Sequence, residues 1–255
     1  MIHNYMDLTR LEMEQVDRKN TLVLIPCGAI EQHGNQAPLG TDTIIANDMC
    51  RYLREELPEA LDMLVFPVLP VGLSIEHMKF CGSITLEPDT YYHVLFDICM
   101  SLSTHGFRKV VFLICHGGNT AVIQLMSRQL RAKTDLYPFY LSSGAFSNPK
   151  VQATISKGNT FDFHGGEMET SMVMANHPQL VHLEEAKAGH NNGLFFSGAG
   201  IGWMGEDWID DEGKPIGIGG DPSGATAEKG EIILRESAKE LVPKLLAIRD
   251  YRIPE

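Results

Sequence analysis

The chain has 255 residues and a formal net charge of −12. Its 44% hydrophobic and 21% charged residues suit a globular protein with one sizeable core and not a disordered chain. The acidic balance argues against nucleic acid or an anionic membrane as the main partner, because both need clustered Lys and Arg. It leaves a small-molecule substrate open.

The first twenty residues carry no positive region followed by an apolar stretch, so no secretory signal is expected. Residues 21–26 form an apolar, β-branched run that reads as a strand buried on both faces. Residues 43–57 follow with apolar positions at helical spacing. A second strand is expected at 64–71. A second helix is expected at 89–104, opened by Glu87-Pro88-Asp89, a favourable first turn. Residues 109–115 read as a third strand and 119–132 as a third helix, with Asn119 or Thr120 as its N-cap. A fourth strand is expected at 138–141. Residues 189–224 are glycine-rich, lack periodicity and hold both tryptophans, Trp203 and Trp208. Two aromatic anchors favour an ordered lid or a subunit contact there. A last helix is expected at 226–248, with a possible interruption at Pro243.

Alternating strands and helices predict an α/β fold with right-handed crossovers, and one domain over 1–255 is the simplest reading. No apolar run is long enough to span a membrane. The five cysteines, Cys27, Cys50, Cys81, Cys99 and Cys115, lack paired spacing. They read as buried free thiols in a reducing compartment, with the cytoplasm as default.

Sheets of this kind bind ligands beyond the carboxyl ends of their strands, and the polar clusters fall there. Glu31 and His33 alternate in the extended segment after the first strand, so both point to one side. Asp42 sits where the next helix begins, a ligand position that is also an N-cap position. His116 follows the third strand and precedes Gly117 and Gly118, which permit close backbone approach to a ligand or ion. Carboxylates and imidazoles suit Zn, Mn or Fe. Singly, each of these residues reads as an ordinary cap or a hydrogen-bonded polar group; together they point to a metal site. In Asp162-Phe163-His164-Gly165-Gly166-Glu167-Met168-Glu169, the acidic residues suit a helix N-terminus. His164, ahead of two glycines, suits a general acid. His77 alone reads as a surface loop histidine. Serine-hydrolase and P-loop readings fail, because no G-x-S-x-G elbow and no Lys-Ser/Thr loop are present.

Five ordered blocks resemble the creatininase (creatinine amidohydrolase) family. They are Pro26 to Gly34 with Pro38 to Asp42, His77 with Gly82-Ser83-Ile84, Cys115 to Asn119, His164 to Ser171, and Gly220-Asp221-Pro222 with Ala227 to Gly230. The resemblance implies a three-layer αβα fold with a mainly parallel central sheet and a homo-oligomer, often a hexamer. It implies two divalent metal ions per chain, Zn and/or Mn with Fe as a further candidate. Glu31 and His116 would hold one ion, His33 the other, and Asp42 would bridge them. His164 would donate a proton to the leaving nitrogen, and His77, Gly117 and Asn119 would contact the substrate.

The sequence departs from creatinine-cleaving members where a Tyr and a metal-ligating Glu give way to Gly117 and Gly118. Glu167 is the first candidate to replace that ligand and to join His164 in catalysis, with Glu169 as the fallback. Residues two apart on a helix point about 200° from each other, so one of the two is expected to face the ions. Gly144 and Thr160 stand where those members carry ring-enclosing tryptophans, so, unless Trp203 or Trp208 supplies the stacking surface, creatinine itself is not the expected substrate. The implied reaction is metal-assisted hydrolysis of a non-peptide C–N bond, in a cyclic amide or formamide. Two alternatives remain: a metal-dependent C–C bond hydrolase acting on a cyclic ketone such as a cyclitol derivative, and a metal-binding protein without catalysis.

Overall fold

The computed structural model describes residues 2–58, 61–144, 148–155, 162–191 and 202–254. Among them, five strands form one parallel sheet in the order β1-β3-β2-β4-β5. The strands are β1 (Ile2–Asn4), β2 (Leu22–Cys27), β3 (Met63–Val65), β4 (Lys109–Ile114) and β5 (Tyr137–Ser142). The helices are α1 (Arg10–Gln15), α2 (Thr41–Glu56), α3 (Pro88–Thr104), α4 (Thr120–Lys133), α5 (Pro149–Thr154), α6 (Glu167–Asn176) and α7 (Ala227–Asp250).

The central strands β2 and β4 are buried at every position, and alternation divides their side chains between two cores. Leu22 and Leu24 join α2, α6 and α7 on one face, through residues such as Met49, Met172 and Leu241. Val23, Ile25 and Cys27 join α3 and α4 on the other, through Leu95, Met126 and Leu130. This is the three-layer αβα arrangement. The chain leaves β2 toward β3 through α2 on one face and leaves β4 toward β5 through α4 on the other. Opposite directions on opposite faces keep both crossovers right-handed. The crevice between the carboxyl ends of β2 and β4 is therefore the switch point at which such sheets bind ligands. Cys27 and Ile114 are paired across it.

Several expectations need correction. The run at 64–71 yields only Met63–Val65 as ladder, because Pro67 and Pro70 withhold N–H groups and the chain then touches β2 through the single bridge Cys27↔Leu69. Strand β1 and helices α1 and α5 lie where no periodic pattern marked them. Helix α7 runs unbroken through Pro243. The N-cap of α2 is Gly40, and Asp42 lies within the first turn. Cys81 is exposed, whereas the other four free cysteines are buried. Of residues 189–224, 192–201 lie outside the described residues. The remainder forms the hairpin β6 (His190–Asn191) with β7 (Trp208–Ile209) and buries Trp208. No helix among the described residues is long and apolar enough to cross a membrane.

Candidate active site

Three chain segments converge on the crevice. Beyond β2, the loop carries Glu31 and His33 and runs into α2, whose first turn holds Asp42. Beyond β4 comes His116. From the C-terminal half come His164 and the first turn of α6, anchored to residue 219 through the bridge His164↔Gly219. Glu31, His33, Asp42, His77, His116 and His164 are all buried. They line or underlie a cavity of about 720 Å³.

Asp42 lies at the centre of the ligand arrangement. Its Oδ1 is 3.7 Å from His33 Nε2 and its Oδ2 is 3.4 Å from His116 Nδ1. Glu31 Oε1 lies 3.3 Å from His116 Nδ1, 3.6 Å from His164 Nδ1 and 3.7 Å from His77 Nε2. His33 Nε2 also faces Glu169 Oε2 at 3.8 Å. One group of potential ligands is thus Glu31, Asp42 and His116, and a second is His33, His164 and Glu169.

Backbone carbonyls set the tautomers of three rings. His33 Nδ1 donates to Glu31 O at 3.1 Å, His116 Nε2 to Leu73 O at 2.5 Å, and His164 Nε2 to Gln32 O at 2.8 Å. Each ring then turns its other nitrogen toward the carboxylates, where it carries a proton or, when neutral, offers a lone pair to an ion. His77 is set the other way. Gln32 Oε1 accepts from Gly34 N and Gln32 Nε2 donates to Gly217 O, which fixes the amide. Gln32 Nε2 therefore donates to His77 Nδ1 at 2.9 Å, leaving His77 Nε2–H aimed at Glu31.

Charge follows from this geometry. Burial opposes ionisation of Glu31, but His116, His164 and His33 hold its carboxyl well below the ordinary value. Burial, aided by Glu31 and opposed by His33, lifts Asp42 to about 6. Burial disfavours charge on His33 and His116, yet Asp42 and Glu169 raise the first to about 10, and Glu31 and Asp42 raise the second to about 10. The carboxylates thus draw positive charge onto the same few atoms, which is what a divalent cation supplies. Burial followed by His164 lowers His77 to about 3, and burial followed by His33 lowers His164 to about 4.

The structure separates Glu167 from Glu169. Glu167, the first candidate for ligand and catalytic group, pairs with Lys229 of α7 and belongs to none of the groups of potential ligands among the described residues. Glu169 Oε2 accepts from Gly165 N at 2.7 Å and faces His33. Two glycines make this turn. Gly165 has φ 64°, and a side chain on Gly166 would strike Asp162 Oδ1. Asp162 Oδ2 accepts from Met168 N at 2.8 Å and so satisfies an N–H of the first turn of α6.

The expected substrate contacts also divide. His77 is buried beside the cluster rather than exposed in a loop, and stacks on His164 with ring centroids 4.2 Å apart. Gly117 lines the cavity, and among the described residues nothing lies within 4 Å of where its Cβ would be. Asn119 lies behind the site: it accepts from Leu73 N and donates to Gly28 O. Through that N–H it holds Leu73, whose carbonyl orients His116, and it is not among the residues that line the cavity. Gly144 lines the cavity with no aromatic wall of its own, while Thr160 lies outside the described residues. Trp203 lines the cavity in an edge contact with His77, ring centroids 5.7 Å apart. Gln32 is a site residue that the sequence reading did not single out, whereas Trp203, one of the two tryptophans offered for the wall of the site, does line the cavity. Gln32 sits between two expected ligands, a signal that was available; Trp203 had only its aromatic type.

A family model for creatininase, described as creatinine amidohydrolase, matches residues 6–245. The chain belongs to the creatininase family. It is 30% identical over 228 residues to the mycofactocin precursor peptide peptidase of Mycobacterium ulcerans, covering 88% of this chain and 84% of the relative. It is 28% identical over 194 residues to the creatinine amidohydrolase of Pseudomonas putida, covering 70% and 73%. A solved structure described as "Creatininase Mn" superposes with a TM-score of 0.78 at 25% identity, covering 97% of this chain and 98% of that one. The named relatives of this creatininase-family chain are hydrolases, and manganese is named with the solved homologue.

Proposed function

We propose that the protein is a metal-dependent hydrolase that cleaves an amide C–N bond at a two-ion site. One observation carries this reading. Glu31 Oε1 and Oε2, His33 Nε2 and Asp42 Oδ2 are buried without a hydrogen-bond partner, and they converge from the two segments around β2. Buried polar atoms left so are costly unless they bind something. The donor set fits two hard-to-borderline divalent ions, manganese or zinc with iron as a further candidate. Glu31, His116 and Asp42 would hold one ion, and His33, Glu169 and Asp42 the other. When bound, such ions polarise a carbonyl and lower the pKa of water toward 7.

The chain's own residues supply the remaining steps. His164 presents an unprotonated Nδ1 beside Glu31, because its Nε2–H is held by Gln32 O. It takes up at Nδ1 the proton that the attacking water loses and delivers it to the leaving nitrogen, so it acts as base and then acid rather than as acid alone. His77 keeps Nε2–H directed at Glu31 and restrains that carboxylate. Gly117 leaves open floor beside His116 for the substrate. The likeness to a peptide peptidase widens the substrate class from cyclic amides and formamides to peptide amides. A homo-oligomer and a cytoplasmic setting complete the reading.

The test is elemental analysis of the purified protein and of His33→Ala, joined to a panel of short peptides, lactams, formamides and cyclic ketones. About two transition-metal ions per chain, falling in the variant, with amide turnover, is the expected result. Ketone turnover without amide turnover would move the protein to C–C bond hydrolysis. Two bound ions without any turnover would make it a metal-binding protein, and no metal after reconstitution would end the reading.

A further inference from the structure

The cavity contains a carboxylate that neither the ligand cluster nor a helix cap uses. Glu76 lines it beside His116 and Gly118. Its Oε1 lies 3.0 Å from where a Cβ on Gly118 would be, so the carboxylate lies against the bare glycine. Glu76 is half-buried, and no lysine or arginine among the described residues acts on it. On the cavity wall stands Trp203, also half-buried, with Phe163 against it at a ring-centroid distance of 5.2 Å. The two segments are fastened together. Gly205 packs so closely on Glu76 that a Cβ there would lie 3.1 Å from Glu76 O, and Lys79 pairs with Glu206. A carboxylate on which only His116 places positive charge, with no lysine or arginine among the described residues, and an indole at the same cavity are complementary to a positive charge, through a charge-assisted hydrogen bond and a cation–π contact.

We propose that Glu76 and Trp203 form a subsite for a protonated amine of the substrate, beside the ion-binding cluster. The inference rests on the hydrolase reading and narrows its substrates to amides that carry an ammonium group near the scissile bond.

The probes are benzylamine, cationic at neutral pH, and its neutral counterpart benzyl alcohol. They are titrated calorimetrically into metal-reconstituted wild type, Glu76→Gln and Trp203→Leu. The expected result is saturable binding of benzylamine to wild type, about tenfold tighter than benzyl alcohol. Glu76→Gln erases that preference while its metal content stays at the wild-type value, and Trp203→Leu weakens both probes. No saturable binding of benzylamine to wild type, an equal affinity for the two probes, or a preference that survives Glu76→Gln overturns the proposal. Loss of metal from Glu76→Gln also overturns it, by making Glu76 a ligand. Unchanged binding by Trp203→Leu removes the indole from the subsite. Wild type that prefers benzylamine but hydrolyses no amide in the panel leaves the subsite standing and sinks the hydrolase reading.

Discussion

At the scale of single residues, Glu167 and Glu169 show how two similar side chains take opposite duties. They are two positions apart at the start of α6, so one faces the crevice only if the other faces away. Glu169 looks toward His33 Nε2, and Glu167 is committed to Lys229 on α7. Glu169→Gln is therefore expected to lower the metal content while shifting the thermal midpoint of the metal-free protein little. Glu167→Gln is expected to keep the metal and to lose about 1–3 kcal/mol, less than a fully buried pair because Lys229 is partly exposed. Metal analysis and chemical denaturation of both variants check this pair; metal loss in Glu167→Gln with retention in Glu169→Gln would reverse the assignment. Gly118 shows a similar economy of space. A Cβ there would lie 2.4 Å from both His116 Nε2 and Leu73 O, the two atoms whose hydrogen bond orients His116. The carboxylate expected at that position in creatinine-cleaving relatives has no room in this backbone.

At the scale of elements, α6 and α7 pack more extensively than any other helix pair among the described residues, and Gly230 lies in that contact. A Cβ on Gly230 would come 1.8 Å from Ser171 O, so the two helices approach backbone to backbone. Gly230→Ala must push α6 away from α7, and α6 carries Glu169. The expected outcome is a loss of about 1–3 kcal/mol from overpacking together with weaker metal retention, read by denaturation and by metal analysis after dialysis. Wild-type stability and metal content would show that the helices can separate without moving Glu169. The same contact explains which parts of the site were legible in the sequence. Strands β2 and β4 stood out because burial on both faces makes continuous apolar runs, and Glu31, His33 and His116 stood out because they follow those runs directly. The spacing of Glu167 and Glu169 predicted that they diverge. It carried no information on phase, because Asp162 and Lys229 set the rotation of α6, and Lys229 lies 62 residues away in the chain. Strand β1 was illegible for another reason: three residues at a sheet edge, none of them fully buried, leave no pattern to read.

At the scale of the whole molecule, the site is the place where distant parts of the chain depend on one another. Glu31, His33 and Asp42 come from around β2, His116 from beyond β4, and His164 with Glu169 from the C-terminal half. The hydrophobic cores tie these parts together on each face of the sheet. At its carboxyl edge the tie is electrostatic, and it consists of like-charged carboxylates and buried imidazoles that need positive charge between them. Ions held there by the folded chain and not by the unfolded one stabilise it by mass action, by about 2.7 kcal/mol when the free ion is at 100 times its dissociation constant. For a domain of this size, each kcal/mol shifts the melting midpoint by roughly 2–4 °C. Chelation of the purified protein is therefore expected to lower the midpoint by about 5–10 °C, with recovery on adding manganese or zinc and none on adding magnesium to equal concentration. Asp42→Ala, which removes the carboxylate between the two ligand groups, should melt at the same temperature with and without chelator. A chelated wild type that melts at its untreated temperature would mean that no ion contributes to the fold, and that the buried carboxylates are balanced by protons on His33 and His116 alone.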